Sequence, residues 1–189
     1  MAVALAIVGL AGTTATPAGA ATDTVLVIAA AQPDYVADVV AGLQATGGYT
    51  TVGVVNFDDG DTLDPSVLAT YDAALVMADG SWPDEDVLGT QLADYVDAGG
   101  RVVVTTFTLY CAGSGSGLGG RWATGDYGAL VGNTTCEQID GDGPLGITPV
   151  IPGSPFLTGG LSFDGGSSSY RNTVDLGVGA TLVANWADA

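Results

Sequence analysis

The chain has 189 residues, of which 21 are acidic and only three basic (Arg101, Arg121, Arg171), and it carries a net charge of −18 with no histidine and no lysine. That charge repels phosphate backbones and anionic lipid, so nucleic acid and acidic membranes are poor partners. The missing residue types remove a histidine-activated serine or cysteine, a Schiff-base lysine and a P-loop lysine from the possible chemistries.

Hydrophobic residues make up 47% of the chain, enough for one domain with its own core. Residues 1–20 (MAVALAIVGLAGTTATPAGA) are uncharged. Positions 2–11 match the apolar region of a secretory leader, and Ala18-Gly19-Ala20 fits the small-x-small cleavage rule, although no basic residue follows Met1. The expectation is therefore a leader over 1–20, a domain over 21–189, and a secreted or cell-surface location. The leader is too short to span a bilayer and no later stretch qualifies. Export and an even cysteine count point to a disulfide between Cys111 and Cys136.

From residue 24 the pattern alternates. The run 24–30 (TVLVIAA) is continuously apolar, as in a strand buried on both faces. Pro33 and Asp34 open a helix with Val36, Val39, Val40 and Leu43 on one face, and Gly47-Gly48 stops it. A second strand is expected over 49–57, an acidic loop (DDGDTLD) after it, and a short helix over 65–70. The third strand is 72–78. Pro83 and Asp84 then start a helix with Leu88, Leu92, Tyr95 and Val96 on one face, ended by Gly99-Gly100. The fourth strand is 101–107. This βαβαβαβ order predicts an α/β three-layer sandwich with a mainly parallel, flavodoxin-like sheet and strand order 2-1-3-4. Beyond it, 109–122 (LYCAGSGSGLGGRW) reads as a flexible loop, 127–131 as a short helix, and 147–151 and 179–186 as strands.

A series of segments carries a family resemblance. It runs from Tyr71-Asp72-Ala73-Ala74-Leu75-Val76 to Leu92-Ala93-Asp94-Tyr95-Val96-Asp97-Ala98-Gly99-Gly100-Arg101-Val102-Val103-Val104. Trp122 and Asp126-Tyr127-Gly128-Ala129-Leu130-Val131-Gly132 follow. Ser154-Pro155-Phe156-Leu157-Thr158-Gly159-Gly160-Leu161-Ser162-Phe163 closes the series. It resembles the ThuA-like branch of the class I glutamine-amidotransferase-like superfamily. The resemblance implies a flavodoxin-like sheet, and a domain that often continues with a further strand, so truncation at residue 189 is expected. Where the family commonly has histidine at the end of the strand matching 102–106, this chain has Thr105, Thr106 and Phe107. Ser154-Pro155 stands for a histidine-proline pair, and residues 165–170 (GGSSSY) for an acidic segment. Amidotransferases of the superfamily use a cysteine on a sharp strand-to-helix turn, activated by histidine. Cys111 lies near that strand end, but in Tyr110-Cys111-Ala112-Gly113, without the elbow glycines.

In an open parallel sheet, ligands settle beyond the carboxyl ends of the strands. The loops 31–34, 79–84 and 106–122 should meet there. Trp82, Tyr110 and Trp122 would offer flat faces, and Asp34, Asp79, Ser81 and Arg121 hydrogen-bonding groups, with Arg121 able to pair Asp79. This set suits a neutral carbohydrate. The competing reading is that Asp34 and Asp84 cap helices and the tryptophans pack. Asp58, Asp59, Asp61 and Asp64 lack the order of an EF-hand and read as a solvated acidic turn. Asp34 with Asp79 is the one carboxylate pair to consider for glycoside hydrolysis. No cofactor and no metal is expected. The chain is thus read as an exported, non-catalytic binding or cell-surface architecture module, its partner a neutral carbohydrate or another surface protein. The alternative is an enzyme acting on a sugar-derived substrate through carboxylates or a bound metal.

Overall fold

A computed structural model describes residues 6–7, 23–132, 136–141, 144–157, 162–164 and 169–186. The main sheet comprises β1 (Ala6–Ile7), β2 (Asp23–Ala30), β3 (Tyr49–Asn56), β4 (Ala73–Ala78) and β5 (Arg101–Val104), in the order β1-β5-β4-β2-β3. The last four strands are mutually parallel, so the apolar runs lie in the expected 2-1-3-4 order. The short β1 adds an antiparallel edge, with Ala6 opposite Val104. The architecture is a flavodoxin-like α/β sandwich.

Successive residues of β2 feed opposite faces of the sheet. Leu26, Ile28 and Ala30 join the larger core cluster, with Ala74, Val76, Val102 and Val104 of the neighbouring strands. Val25, Val27 and Ala29 join the other, with Leu75 and Met77. That duplicated burial explains why β2 and β4 read as unbroken apolar runs. Helix α1 (Pro33–Ala45) covers the second cluster through Val36, Val39, Val40 and Leu43. Helices α2 (Pro65–Leu68), α3 (Glu85–Asp97) and α4 (Gly120–Thr124) cover the first, where Leu68, Leu88, Leu92, Tyr95 and Trp122 are buried.

The helix starts follow capping chemistry. The Asp64 carboxylate accepts from the Ser66 amide (2.8 Å), and that of Asp84 from the amides of Asp86 (3.1 Å) and Val87 (2.9 Å). Asp34 does not cap α1: the N-cap is Gln32, without a side-chain bond, and Asp34 sits in the first turn. There its charge still favours the helix N-terminus.

After β5 the chain forms a 3-10 turn (Thr106–Leu109), then α4, then short antiparallel strands. These are β6 (Leu130–Gly132), β7 (Gln138–Gly141), β8 (Pro144–Pro149), β9 (Ser162–Asp164), β10 (Ser169–Asn172), β11 (Val174–Leu176) and β12 (Ala184–Trp186). They pair as β6 with β11, β7 with β10, and β8 with both β9 and β12. The helix expected over 127–131 is a correction: Leu130–Gly132 is a strand. Gly125, Gly128 and Gly132 weaken a helix there, and β11 satisfies the backbone instead. The strand expected over 179–186 is confined to β12, and that expected over 147–151 ends at Pro149; the Val150 and Ile151 amides instead donate to the Val183 carbonyl (2.9 and 3.0 Å). Among the described residues no helix is long and apolar enough to cross a membrane.

Candidate functional site

The carboxyl ends of β2, β3 and β4 converge as the parallel topology requires. The amides of Asp79 and Gly80, just past β4, both donate to the carbonyl of Ala30 at the end of β2 (2.8 Å each). Asn56, the last residue of β3, is 1% exposed and joins the third strand to the same point. Its Nδ2 donates to the Ala31 carbonyl (3.0 Å), while its Oδ1 accepts from the Ala31 amide (3.3 Å). The acidic turn folds back on it. Asp59 accepts from Asn56 Nδ2 (3.0 Å), and Asp61 from the Asn56 amide (2.9 Å). These carboxylates are therefore partners of one buried residue, Asp59 of its side-chain amide and Asp61 of its backbone. Among the described residues no group of three or more histidine, cysteine, aspartate or glutamate side chains is arranged to hold a metal ion.

The glycine-rich segment after β5 closes over this edge. Glu85, in the first turn of α3, accepts from the amides of Gly113 and Gly115, the latter at 3.0 Å. Asp86 accepts from the Gly120 amide (2.7 Å). The Trp82 amide donates to the Gly115 carbonyl (2.7 Å), its indole Nε1 to the Ser116 carbonyl (2.7 Å), and Ser116 Oγ to the Gly80 carbonyl (2.8 Å). A segment expected to be flexible is thus fastened by backbone and carboxylate bonds along its length. Glycine suits it because Gly113 and Gly115 have positive φ (88° and 87°). Cys111 and Cys136 form a disulfide, with Cα atoms 5.0 Å apart.

The seven residues singled out from the sequence divide into four groups, Arg121 standing alone. Asp79 and Ser81 are exposed at the rim and Tyr110 is half-buried. Asp34 is exposed on α1. Trp82 and Trp122 are 5% and 6% exposed and belong to the core. Trp82 meets Phe57 edge-on at 5.8 Å, and Trp122 stacks on Tyr127 at 6.1 Å. Neither offers an open face, because both indoles are packed into the larger core cluster.

Arg121 is a correction. It does not pair Asp79. Its guanidinium donates to Asp94, to Asp97 (2.6 Å) and to the Tyr127 hydroxyl, away from the rim along α3. Asp94 and Asp97 are three residues apart on one helix face, so a cation on the neighbouring α4 meets both. The Arg121 hydrogen bond holds the Asp97 carboxyl below the usual carboxylate range. Desolvation, then the Asp97 bond, pushes the Tyr127 phenol up.

Sequence reasoning missed Asn56 and the holding role of Glu85 and Asp86. A lone asparagine ending an apolar strand was the available signal for the first. Nothing in the spacing of Glu85 and Gly115 announced the second. No protein family, curated protein or solved structure matches this chain.

Proposed function

We propose that the chain is an exported, non-catalytic domain of the ThuA-like, amidotransferase-like kind, acting as a binding or cell-surface architecture module. The observation that carries this reading is the state of Cys111. It stands near the strand end where amidotransferases of that superfamily hold a nucleophile, and its sulfur is bonded to Cys136. A disulfide sulfur has no thiolate to attack with, and the chain has no histidine to serve as base. The bridged carboxyl edge adds support. With Trp82 buried and the glycine segment fastened over α3, the rim offers Asp79, Ser81 and Tyr110 as a shallow polar surface rather than a deep crevice. Shallow hydrogen-bonding surfaces suit recognition of a neutral surface polymer.

The test is retention of the full chain on insoluble neutral polysaccharides, with the soluble fraction read by mass spectrometry. Retention without released products, weakened in an Asp79→Ala/Ser81→Ala variant, is the expected result. Released sugar fragments would favour the enzymatic reading, and no retention on any polymer would remove the carbohydrate partner.

A further inference from the structure

We propose that the cavity between α2 and α3, at the amino edge of the main sheet, is a binding site for a neutral, hydroxyl-rich small molecule of the sugar class, held by Asp72, Gln91 and Arg101. It lies at the opposite ends of the strands from the rim formed by Asp79 and Ser81, and it does not depend on that rim binding anything.

The cavity is half-open and has a volume of about 360 Å³. Small-molecule sites occupy roughly 300–1,000 Å³, so it is large enough for a small ligand. Local chain geometry builds it. Helix α3 ends in a Schellman turn: the Gly100 amide donates to the Tyr95 carbonyl and the Gly99 amide to the Val96 carbonyl (2.9 Å each), with Gly99 at φ 98°. The chain therefore enters β5 at once, which sets Arg101 beside the last turn of α3. Tyr71 and Asp72 lead into β4 alongside, because Ala73 is the register partner of Arg101. The floor is apolar, with Leu68 and Tyr95 both buried. The Tyr95 hydroxyl donates to the Tyr71 carbonyl (2.7 Å), and its ring packs so closely on Gly100 that a Cβ there would collide with it. Held at both places, the ring forms part of the floor.

The wall is polar, and the fold leaves several of its groups unused. Asp72 Oδ2 accepts from the Thr24 amide (2.8 Å) and from Thr24 Oγ1 (2.9 Å). That fixes the carboxylate and leaves Oδ1 without a hydrogen bond among the described residues. Neither Gln91 nor the Arg101 guanidinium has a side-chain hydrogen bond among them, whereas Arg121 is held by Asp94 and Asp97.

Charge and hydrogen-bonding capacity select the ligand. Asp72 and Arg101 are of opposite sign, and Asp94, the remaining charge on the wall, is paired with Arg121. The wall is thus close to neutral. An anion is opposed by the chain's net charge of −18, and a cation meets Arg101 at contact. A zwitterion gives up the water around two full charges, which costs more than desolvating hydroxyls. A hydroxyl both donates and accepts. Neighbouring hydroxyls can therefore give to Asp72 Oδ1 and take from Arg101, while the Gln91 amide serves either role. The C–H face of such a molecule suits the floor of Leu68 and Tyr95.

The experiment is amide NMR of the isotope-labelled full chain, titrated with glucose, galactose, mannose and N-acetylglucosamine to about 100 mM, and separately with alanine as a zwitterion. Saturable shifts of the Gly99, Gly100 and Arg101 amides with at least one sugar are expected, and none with alanine. Arg101→Ala removes a charged donor and should weaken that sugar at least about tenfold; Gln91→Ala removes a neutral partner and should weaken it about threefold. Neither side chain is used by the fold, so both variants should keep the wild-type spectrum away from the cavity. The rim variant Asp79→Ala/Ser81→Ala should bind the sugar as the wild type does, which separates failure of this site from failure of the rim. Absence of any sugar-induced shift at these amides overturns the proposal. So does alanine moving them when no sugar does, or a sugar that binds Arg101→Ala and Gln91→Ala as tightly as the wild type.

Discussion

The side chain of Asn56 and the backbone of Ala31 exchange hydrogen bonds in both directions, Nδ2 to carbonyl at 3.0 Å and amide to Oδ1 at 3.3 Å. Asn56 thereby extends the β2–β3 ladder by one rung after the strands have stopped. The same amide nitrogen reaches Asp59, and the Asn56 backbone reaches Asp61. One buried residue thus ties the acidic turn to the end of the central strand, where three strand ends meet.

Asn56→Ala should cost about 1–3 kcal/mol in urea unfolding, because the buried Ala31 amide and carbonyl lose their partners. Val67→Ala, at an exposed position on α2, should stay within about 0.5 kcal/mol. Asn56→Asp should be worse than Asn56→Ala at neutral pH, since it sets a third carboxylate against Asp59 and Asp61 and replaces the donor that Ala31 needs. Equal stability of Asn56→Ala and wild type would remove the ladder account.

The Cys111–Cys136 disulfide closes a loop of sequence separation 25. Cys111→Ser/Cys136→Ser should lose about 3.5 kcal/mol by the chain-entropy relation. The Glu85 and Asp86 bonds lie inside that loop and hold the glycine segment independently, so the double variant should still fold. Unchanged protection of the Gly115 and Gly120 amides in native-state exchange is the expected sign. Loss of that protection would make the disulfide, and not α3, the organiser of the segment.

Much of the fold was legible in the sequence because burial on two faces leaves a strong trace. In the runs 24–30 and 72–78 no polar residue follows the first position, and the helix faces repeated with period 3.6. The glycine stops at Gly47-Gly48 and Gly99-Gly100 fell where α1 and α3 end. The short strands after α4 left almost no trace, since three-residue pairings such as β6 with β11 are specified by partners more than forty positions away. At the rim, composition located the loops but not the direction of their side chains. Trp82 and Trp122 turned into the core because apolar area there outweighs exposure. Arg121 turned to Asp94 and Asp97 because α4 lies along α3.

The Arg121 cluster should be visible in the acid limb of stability. Asp97, Asp72 and Asp64 are held below their ordinary value of 3.8, by hydrogen bonds from Arg121, Thr24 and Ser66 respectively. A depressed carboxylate contributes stability that is present above the unfolded pKa and is lost as pH falls through the folded one. Thermal midpoints should therefore drop below about pH 4. Arg121→Gln should flatten the Asp97 share and leave those of Asp72 and Asp64. The pair is exposed, so high salt should shrink the difference between variant and wild type. An acid limb identical in the two proteins would show that the cluster does not act on stability.

Trp82 decides whether the carboxyl edge is a packed wall or an aromatic platform. Its indole N–H donates to the Ser116 carbonyl at 2.7 Å, its ring meets Phe57 edge-on, and only 5% of its surface is open. Trp82→Phe keeps most of the buried area but leaves that carbonyl without its donor, so a loss of about 1–2 kcal/mol is expected. Trp82→Ala also opens a cavity and should cost about 3–5 kcal/mol. The two losses should appear in denaturant unfolding with similar m-values, as the denatured chain is unchanged. A platform residue would behave oppositely, with small effects on stability and a large effect on polymer retention. If Trp82→Ala is nearly neutral in unfolding, the wall is wrong. If it is strongly destabilised while Asp79→Ala and Ser81→Ala are not, retention assays on those two rim variants report recognition free of folding, and the tryptophan variants do not.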